Sequence, residues 1–140
     1  MALTALLIGL QRLHHWSLHL WHGDHGWHQG SAAIALGLET WSSANGLALS
    51  IDRTTRAATG SEAAARDWRY GQLAQVAEQQ QQADPGTPCR RVVCAHTATD
   101  RAETLLLNLA RGSDLQGLGS LRRARPLAQA SGHDLQLVRP

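Results

Sequence analysis

The chain has 140 residues, of which 43% are hydrophobic and 17% are charged. This length fits one domain, and the composition excludes a disordered or collagen-like protein. The formal net charge of +2 does not by itself indicate a nucleic-acid partner. The charge is uneven, because residues 1–89 carry five Arg against seven acidic residues and residues 90–140 carry eight Arg against four. The basic second half fits a phosphate-facing surface, and it also fits an ordinary solvated surface.

The first ten residues are apolar on nearly every side, which predicts a buried helix. No capping residue precedes them, so we expect the chain to begin inside an element. The segment is too short to span a bilayer and lacks the features of a signal peptide, so we expect no membrane partner. Cys89 and Cys94 form neither a disulfide framework nor a zinc-ribbon spacing, and Cys94 is expected to be buried. These features favour the reducing cytoplasm.

Strands and helices then alternate along the chain. The predicted elements are a strand over 17–22, a helix over 31–44 capped by Ser31, a strand over 47–51, a helix that starts at a capping box over 59–62 and stops at Asp84, a strand over 91–95, a helix over 99–111 and a strand over 135–138. The alternation predicts one α/β domain over residues 1–140, with a parallel sheet between two helical layers.

The helix that begins near Glu62 has the clearest local signals. Thr59 lies three residues before Glu62, which is the spacing of a capping box. Tyr70, Leu73 and Ala77 recur on one face, so that face is predicted to be buried.

Six of the eight histidines lie close together in the first part of the chain. They are His14, His15, His19, His22, His25 and His28. With Asp24 among them, a metal site is a candidate. On a strand, however, His19 and His22 face opposite sides, so spacing alone brings no three ligands together. Adventitious metal affinity is therefore favoured over a dedicated site.

A second polar cluster follows the predicted strand over 91–95. His96 lies at the carboxyl end of that strand, and Asp100 and Glu103 share a face of the next helix. Open α/β sheets bind their ligands at such a junction. Two acids and a histidine can hold Mg²⁺, with Asp100 as the first candidate ligand, or orient a nucleophile. The alternative is that both acids only stabilise the positive end of the helix dipole.

Four motifs, in order, resemble the bacterial tRNA(Ile)-lysidine synthetases, which are N-type ATP pyrophosphatases of the PP-loop superfamily. The motifs are His22–Trp27, Glu62-x-x-Ala65-Arg66-x-x-Arg69-Tyr70, the segment from His96 through Asp100-x-x-Glu103-Thr104 to Leu118, and Val138-Arg139-Pro140. The resemblance implies an adenine nucleotide alpha-hydrolase-like fold without its first, central strand and its Ser-Gly-Gly-x-Asp-Ser loop. A chain truncated in this way is expected to be poorly stable, to bind ATP weakly and to be inactive alone.

The resemblance also implies a reaction. ATP adenylates the wobble cytidine of tRNA(Ile) with a CAU anticodon, and free L-lysine displaces AMP to give lysidine, with Mg²⁺ as a cofactor. Asp100 and Glu103 would be the catalytic acids. The nucleotide- and substrate-binding residues would be His22, Asp24, His96, Arg111, Gly112 and Ser113. A homodimer is a further expectation.

Some positions depart from the family pattern. Gly23 replaces a branched apolar residue, His28 stands where Arg is frequent, and Thr99 stands where Asp or Asn is common. Arg66, four residues after Glu62, favours a simple ion pair on the helix surface. Two other functions remain open, namely a tRNA thiolation enzyme of the same superfamily and a non-catalytic, histidine-rich metal-binding module.

Overall fold

A computed structural model describes residues 2–27, 29–55, 60–95, 98–112, 123–127 and 134–139. The chain divides into two compact units, Met1–Pro88 and Cys89–Pro140. Within the described ranges, no helix combines the length and the hydropathy needed to cross a membrane.

The first unit is built around a pair of parallel strands. Its elements are α1 (Ala2–His14), β1 (His19–Asp24), α2 (Ser31–Ala44), β2 (Ala48–Arg53) and α3 (Glu62–Ala83). β1 pairs with β2 from His19 opposite Ala48 to Asp24 opposite Arg53. Because parallel strands need a crossover, α2 connects their opposite ends. The carboxyl ends of both strands therefore lie at one edge of this sheet.

The buried face of α3 is the one that the sequence predicts. Tyr70, Leu73 and Ala77 are all buried, together with Ala65 and Ala74. These residues supply much of the core of the first unit.

The start of α3 differs from the prediction. Ser61 is the N-cap, and its hydroxyl accepts a hydrogen bond of 3.1 Å from the backbone N–H of Ala64. The capping box built on Thr59 is therefore wrong, because the residue that immediately precedes Glu62 caps the helix. Thr59 itself lies outside the described residues.

Two expectations for the other helices of this unit are also wrong. α1 forms, but none of its described residues is buried, and Leu6 and Leu13 are 65% and 72% exposed. An apolar composition favours a helix, but it does not determine whether another element packs against that helix. Ser31 is the first residue of α2 rather than its cap, which is Gly30. The predicted end of α2 is confirmed, because Asn45 is the C-cap and Gly46 takes a left-handed φ of 64°.

The second unit contains a small mixed sheet. Its elements are β3 (Arg91–Val93), α4 (Ala98–Ala110), β4 (Ala124–Pro126) and β5 (Gln136–Val138). The strand order is β3-β5-β4, in which β3 is parallel and β4 antiparallel to β5. An all-parallel sheet is therefore wrong for this unit, because the unpredicted β4 joins its edge. The strand over 91–95 is shorter than predicted, and Cys94 is half-buried rather than buried.

Leucines from the segments around β4 and β5 form the core of the second unit. Leu127, Leu135 and Leu137 are 3%, 2% and 0% exposed. The backbone N–H of Leu127 donates to the carbonyl of Leu135 at 2.9 Å, which extends the pairing of the two strands. The predicted closure of α4 is confirmed by Gly112, which has a left-handed φ of 70°.

Candidate functional site

Asp24 forms the turn that ends β1. Its carboxylate Oδ1 accepts a hydrogen bond of 2.8 Å from the backbone N–H of Gly26, and the side chain is 8% exposed. Gly26 has a left-handed φ of 65°, which a glycine adopts without strain. The side chain of Asp24 therefore substitutes for a backbone acceptor in a tight turn.

The environment of Asp24 keeps its carboxylate ionised. The pKa of Asp24 is lowered first by the hydrogen bond from Gly26, and then by a hydrogen bond from Ser31 and by the charges of Arg53 and His22. Burial raises the pKa of Asp24, but by less than these interactions lower it. Arg53 Nε lies 3.7 Å from Asp24 Oδ2. One carboxylate thus links the ends of β1 and β2 to the start of α2.

Four rings form a continuous row that begins beside this turn, and we call them the aromatic row: Trp27, His25, Trp68 and Trp21. The His25 ring lies 5.6 Å from Trp27 and meets Trp68 edge-on, with centroids 4.9 Å apart. Trp68, on α3, lies 6.0 Å from Trp21. Trp21 Nε1 donates a hydrogen bond of 2.6 Å to Asp52 Oδ2 on β2. The row therefore joins β1, β2 and α3.

Gly23 provides the space that the aromatic row needs. Residues 21 and 23 lie on the same face of β1, because side chains alternate along a strand. A Cβ at residue 23 would overlap Trp21 Cη2 and would lie 2.9 Å from Trp68 Cζ3. The glycine that departs from the family pattern is thus explained by the two indoles that cover it.

The surroundings of His25 favour the neutral form of its ring. Its Nε2 lies 3.5 Å from Arg69 Nη2, which can only donate, so we assign the ring proton to Nδ1. Nδ1 is buried and has no hydrogen-bond partner among the described residues. The pKa of His25 is lowered mainly by burial and further by the charges of Arg69 and His22, against the effect of Asp24.

The histidines that the structure describes do not gather into a metal centre. His19 Nε2 lies 2.8 Å from Ser50 Oγ, and burial lowers the pKa of His19. In the ranges that the structure describes, no group of three or more His, Cys, Asp or Glu residues could hold a metal ion. His28 lies outside those ranges.

The second predicted cluster belongs to the other unit. α4 begins at Ala98, so Asp100 lies in its first turn and Glu103 in its second. The helix dipole stabilises charges mainly within the first turn, so that explanation suits Asp100 better than Glu103. Glu103 is exposed. The side chain of Asp100 lies outside the described part of the structure.

The other predicted binding residues are only partly described. Arg111 is exposed and directly precedes Gly112 at the end of α4. His96 and Ser113 lie outside the described residues. His22 is half-buried on β1, on the same face as Asp24. Glu103 offers an exposed carboxylate of the kind that Mg²⁺ prefers, but among the described residues it belongs to no group of three or more possible ligands. No catalytic step is therefore assigned to a metal ion.

Sequence reasoning missed several residues of the first unit. Arg53 could have been found, because it ends β2 as Asp24 ends β1, and the carboxyl ends of parallel strands meet. Trp68 has no such signal, because its contact with Trp21 arises from the packing of α3. Arg69 was noticed only as part of a motif, and nothing in that motif indicates its contact with His25. Glu62 and Arg66, which were expected to pair, are both exposed and form no salt bridge with each other in the described structure.

Comparison with known proteins places these features in a family. A family model described as the PP-loop domain matches residues 1–140. The chain is 56% identical over 140 residues to a tRNA(Ile)-lysidine synthase of Parasynechococcus marenigrum. It is 46% identical to the enzyme of that name from Prochlorococcus marinus and 41% identical to that from Gloeobacter violaceus, each over 140 residues.

Each of these alignments covers 100% of the chain but only 39%, 40% and 39% of the respective relative. The chain thus spans about two fifths of the length of the curated proteins that it matches. The match to the family model extends over every residue of the chain. This chain therefore belongs to the PP-loop domain family.

Proposed function

We propose that residues 1–140 form part of the nucleotide-binding catalytic domain of a tRNA(Ile)-lysidine synthase. The observation that carries the proposal is the match of the whole chain to proteins of that name, at up to 56% identity. The reaction is the ATP-dependent ligation of lysine to the wobble cytidine of tRNA(Ile) with a CAU anticodon. The chain would contribute to an adenine nucleotide alpha-hydrolase-like fold, in which helices cover both faces of the sheet.

The proposed chemistry has two steps. In the first, the C2 oxygen of cytidine attacks the α-phosphorus of ATP, and pyrophosphate leaves. In the second, the amine of L-lysine attacks C2, and the C–O bond to AMP breaks. An amine is nucleophilic only after it loses a proton, and its ordinary pKa is about 10.4. Asp100 and Glu103 would position this amine and accept its proton, which is a general-base role.

The other residues would bind the nucleotide and the substrate. Arg111 would stabilise the charge that develops on the phosphate. His96, Gly112 and Ser113 would shape the pocket beside it, and His22 and Asp24 would border the nucleotide at the end of β1. The ionised, turn-forming Asp24 suits a role that fixes the backbone rather than one that transfers a proton. Mg²⁺ would accompany ATP, with Asp100 as its candidate ligand. The protein would act in the cytoplasm and would form a homodimer.

A segment exchange tests this function. Residues 1–140 replace the aligned segment of the Parasynechococcus marenigrum relative, and lysidine formation is measured with labelled lysine, ATP and tRNA(Ile) transcripts. We expect lysidine and a stoichiometric release of AMP. The same chimera with Glu103→Gln is the control. A folded chimera that produces no lysidine would overturn the proposal, and a thiolated tRNA formed in a parallel reaction with an added sulfur donor would assign the chain to the other branch of the superfamily.

A further inference from the structure

The exposed end of the aromatic row has no role in the chemistry described above. Trp27 is 43% exposed, although the rings behind it are more enclosed. It directly follows the Asp24–Gly26 turn, at the edge where the carboxyl ends of β1 and β2 meet. Open α/β sheets present their ligand sites at this edge.

Trp27 is supported from behind. Its ring contacts His25, which packs edge-on against Trp68, and the row ends at Trp21, whose indole N–H is fixed by Asp52. A ring that is already held in place loses little conformational freedom when a ligand stacks on it. The row therefore holds one aromatic surface ready at the solvent boundary.

Two arginines contact residues that lie two and three positions before Trp27 in the chain, namely His25 and Asp24. The side chain of Arg53 is 63% exposed and is anchored through Nε by Asp24, at 3.7 Å. Arg69 contacts His25, the ring directly behind Trp27, at 3.5 Å. An exposed aromatic ring flanked by cationic side chains is the combination with which proteins bind single-stranded nucleic acids, because bases stack on the ring and phosphates pair with the cations.

We infer that Trp27 stacks on an unpaired base of RNA, with Arg53 contacting the adjoining phosphate. This inference rests on the proposed function, whose substrate is a base that must leave its stack before it reacts. The open position of Trp27 favours a base of a single-stranded loop over a small nucleotide, because small-molecule sites bury most of their ligand.

Binding of an RNA hairpin with CAU in its loop to the 140-residue chain tests the inference. The probe carries a fluorescent label, and anisotropy gives Kd over a range of salt concentrations. We expect Trp27→Leu to raise Kd about tenfold, with an unchanged dependence on salt, because one stacked base is lost. Trp27→Phe, which keeps a ring, should restore Kd to within about threefold of the wild type. Arg53→Gln should instead reduce the slope of log Kd against log salt by about one.

Leu6→Ala is the matched control, because it removes an exposed apolar side chain from α1. Near-UV circular dichroism verifies that each variant keeps its tryptophan packing. Equal binding by the wild type and Trp27→Leu would overturn the inference, as would equal binding of a fully paired duplex. Loss of ATP binding with unchanged RNA binding in Trp27→Leu would assign the ring to adenine and would also overturn it. Absence of RNA binding by the wild type would overturn the inference as well. The proposed function is tested separately, by lysidine formation in the chimera.

Discussion

Trp68 Cζ3 lies 2.9 Å from the position that a Cβ at residue 23 would occupy, so the indole of α3 rests directly on the backbone of β1. This contact explains why a strand with an otherwise alternating pattern contains a glycine. It also shows that the space above residue 23 is filled by aromatic rings, one of which belongs to another element.

Gly23→Val should destabilise the chain. The new side chain would have to displace two indoles, and overpacking of this kind costs about 1–3 kcal/mol. Urea unfolding followed by circular dichroism measures the change. Gly37→Ala is the matched control, because a Cβ at residue 37 meets no atom within 4 Å. Alanine in the middle of α2 should raise the free energy of unfolding by about 0.5–1 kcal/mol. A Gly23→Val variant as stable as the wild type would contradict the contact.

Acidification should weaken the first unit through two half-buried histidines, His19 and His25. The pKa values of His19 and His25 are lowered in the folded state, so the unfolded state binds more protons below the ordinary histidine pKa of about 6.5. The free energy of unfolding should therefore fall as the pH falls from about 6.5 toward the folded-state values.

Asp24 affects the free energy of unfolding at a lower pH than the histidines do. Its carboxylate loses its stabilising effect only as the pH falls through its lowered, folded-state pKa. Urea midpoints measured across the histidine range check the prediction. The double variant His19→Gln/His25→Gln should give a flatter profile than the wild type. An identical slope in both proteins would show that neither histidine is responsible.

Ser61→Ala should shorten or loosen the first turn of α3. The Ser61 hydroxyl satisfies the backbone N–H of Ala64, and loss of such a cap typically costs about 1 kcal/mol. Ser43→Ala, at an exposed position inside α2, is the control and should not lower the urea midpoint. If both substitutions have the same effect, Ser61 is not the cap.

Asp100→Ala and Glu103→Gln should each abolish lysidine formation in the chimera with little change in stability. Loss of a positioned general base reduces turnover about 10²–10⁴-fold. Single-turnover rates at saturating lysine measure the effect, and thermal unfolding tests the fold. Glu62→Gln, at an exposed position of α3, is the control and should keep normal turnover. Unchanged turnover in Asp100→Ala would remove that residue from the proposed catalytic pair.

The regular helices could be predicted from sequence because local signals define them. α2 begins and ends where predicted, and the buried face of α3 follows its apolar period. β4 could not be predicted, since Ala124–Pro126 is too short to show an alternating pattern. The exposure of α1 could not be predicted either, because composition does not reveal whether another element covers a helix.

In the candidate site, too, local features could be predicted from the sequence and contacts between distant elements could not. The turn at Asp24 is a local feature, and its residue types indicate it. The contact of His25 with Trp68 and Arg69 depends on where α3 packs, which no spacing along the chain specifies. The sequence marks Gly23 only as a difference from the pattern that the resemblance implies. The need for a glycine there becomes clear only from the positions of the Trp21 and Trp68 indoles.

The carboxylate of Asp24 joins the ends of β1 and β2 and the first residue of α2, which are closer to one another along the chain than His25 is to its contact Arg69 on α3. Contacts between nearby segments close with a smaller loss of chain entropy than distant ones. The segment from His19 to Arg53 can therefore acquire its native pairing before α3 arrives. The Trp21 indole would first bind Asp52 and only later be covered by Trp68, so the strand pair would form first during folding and the aromatic row last.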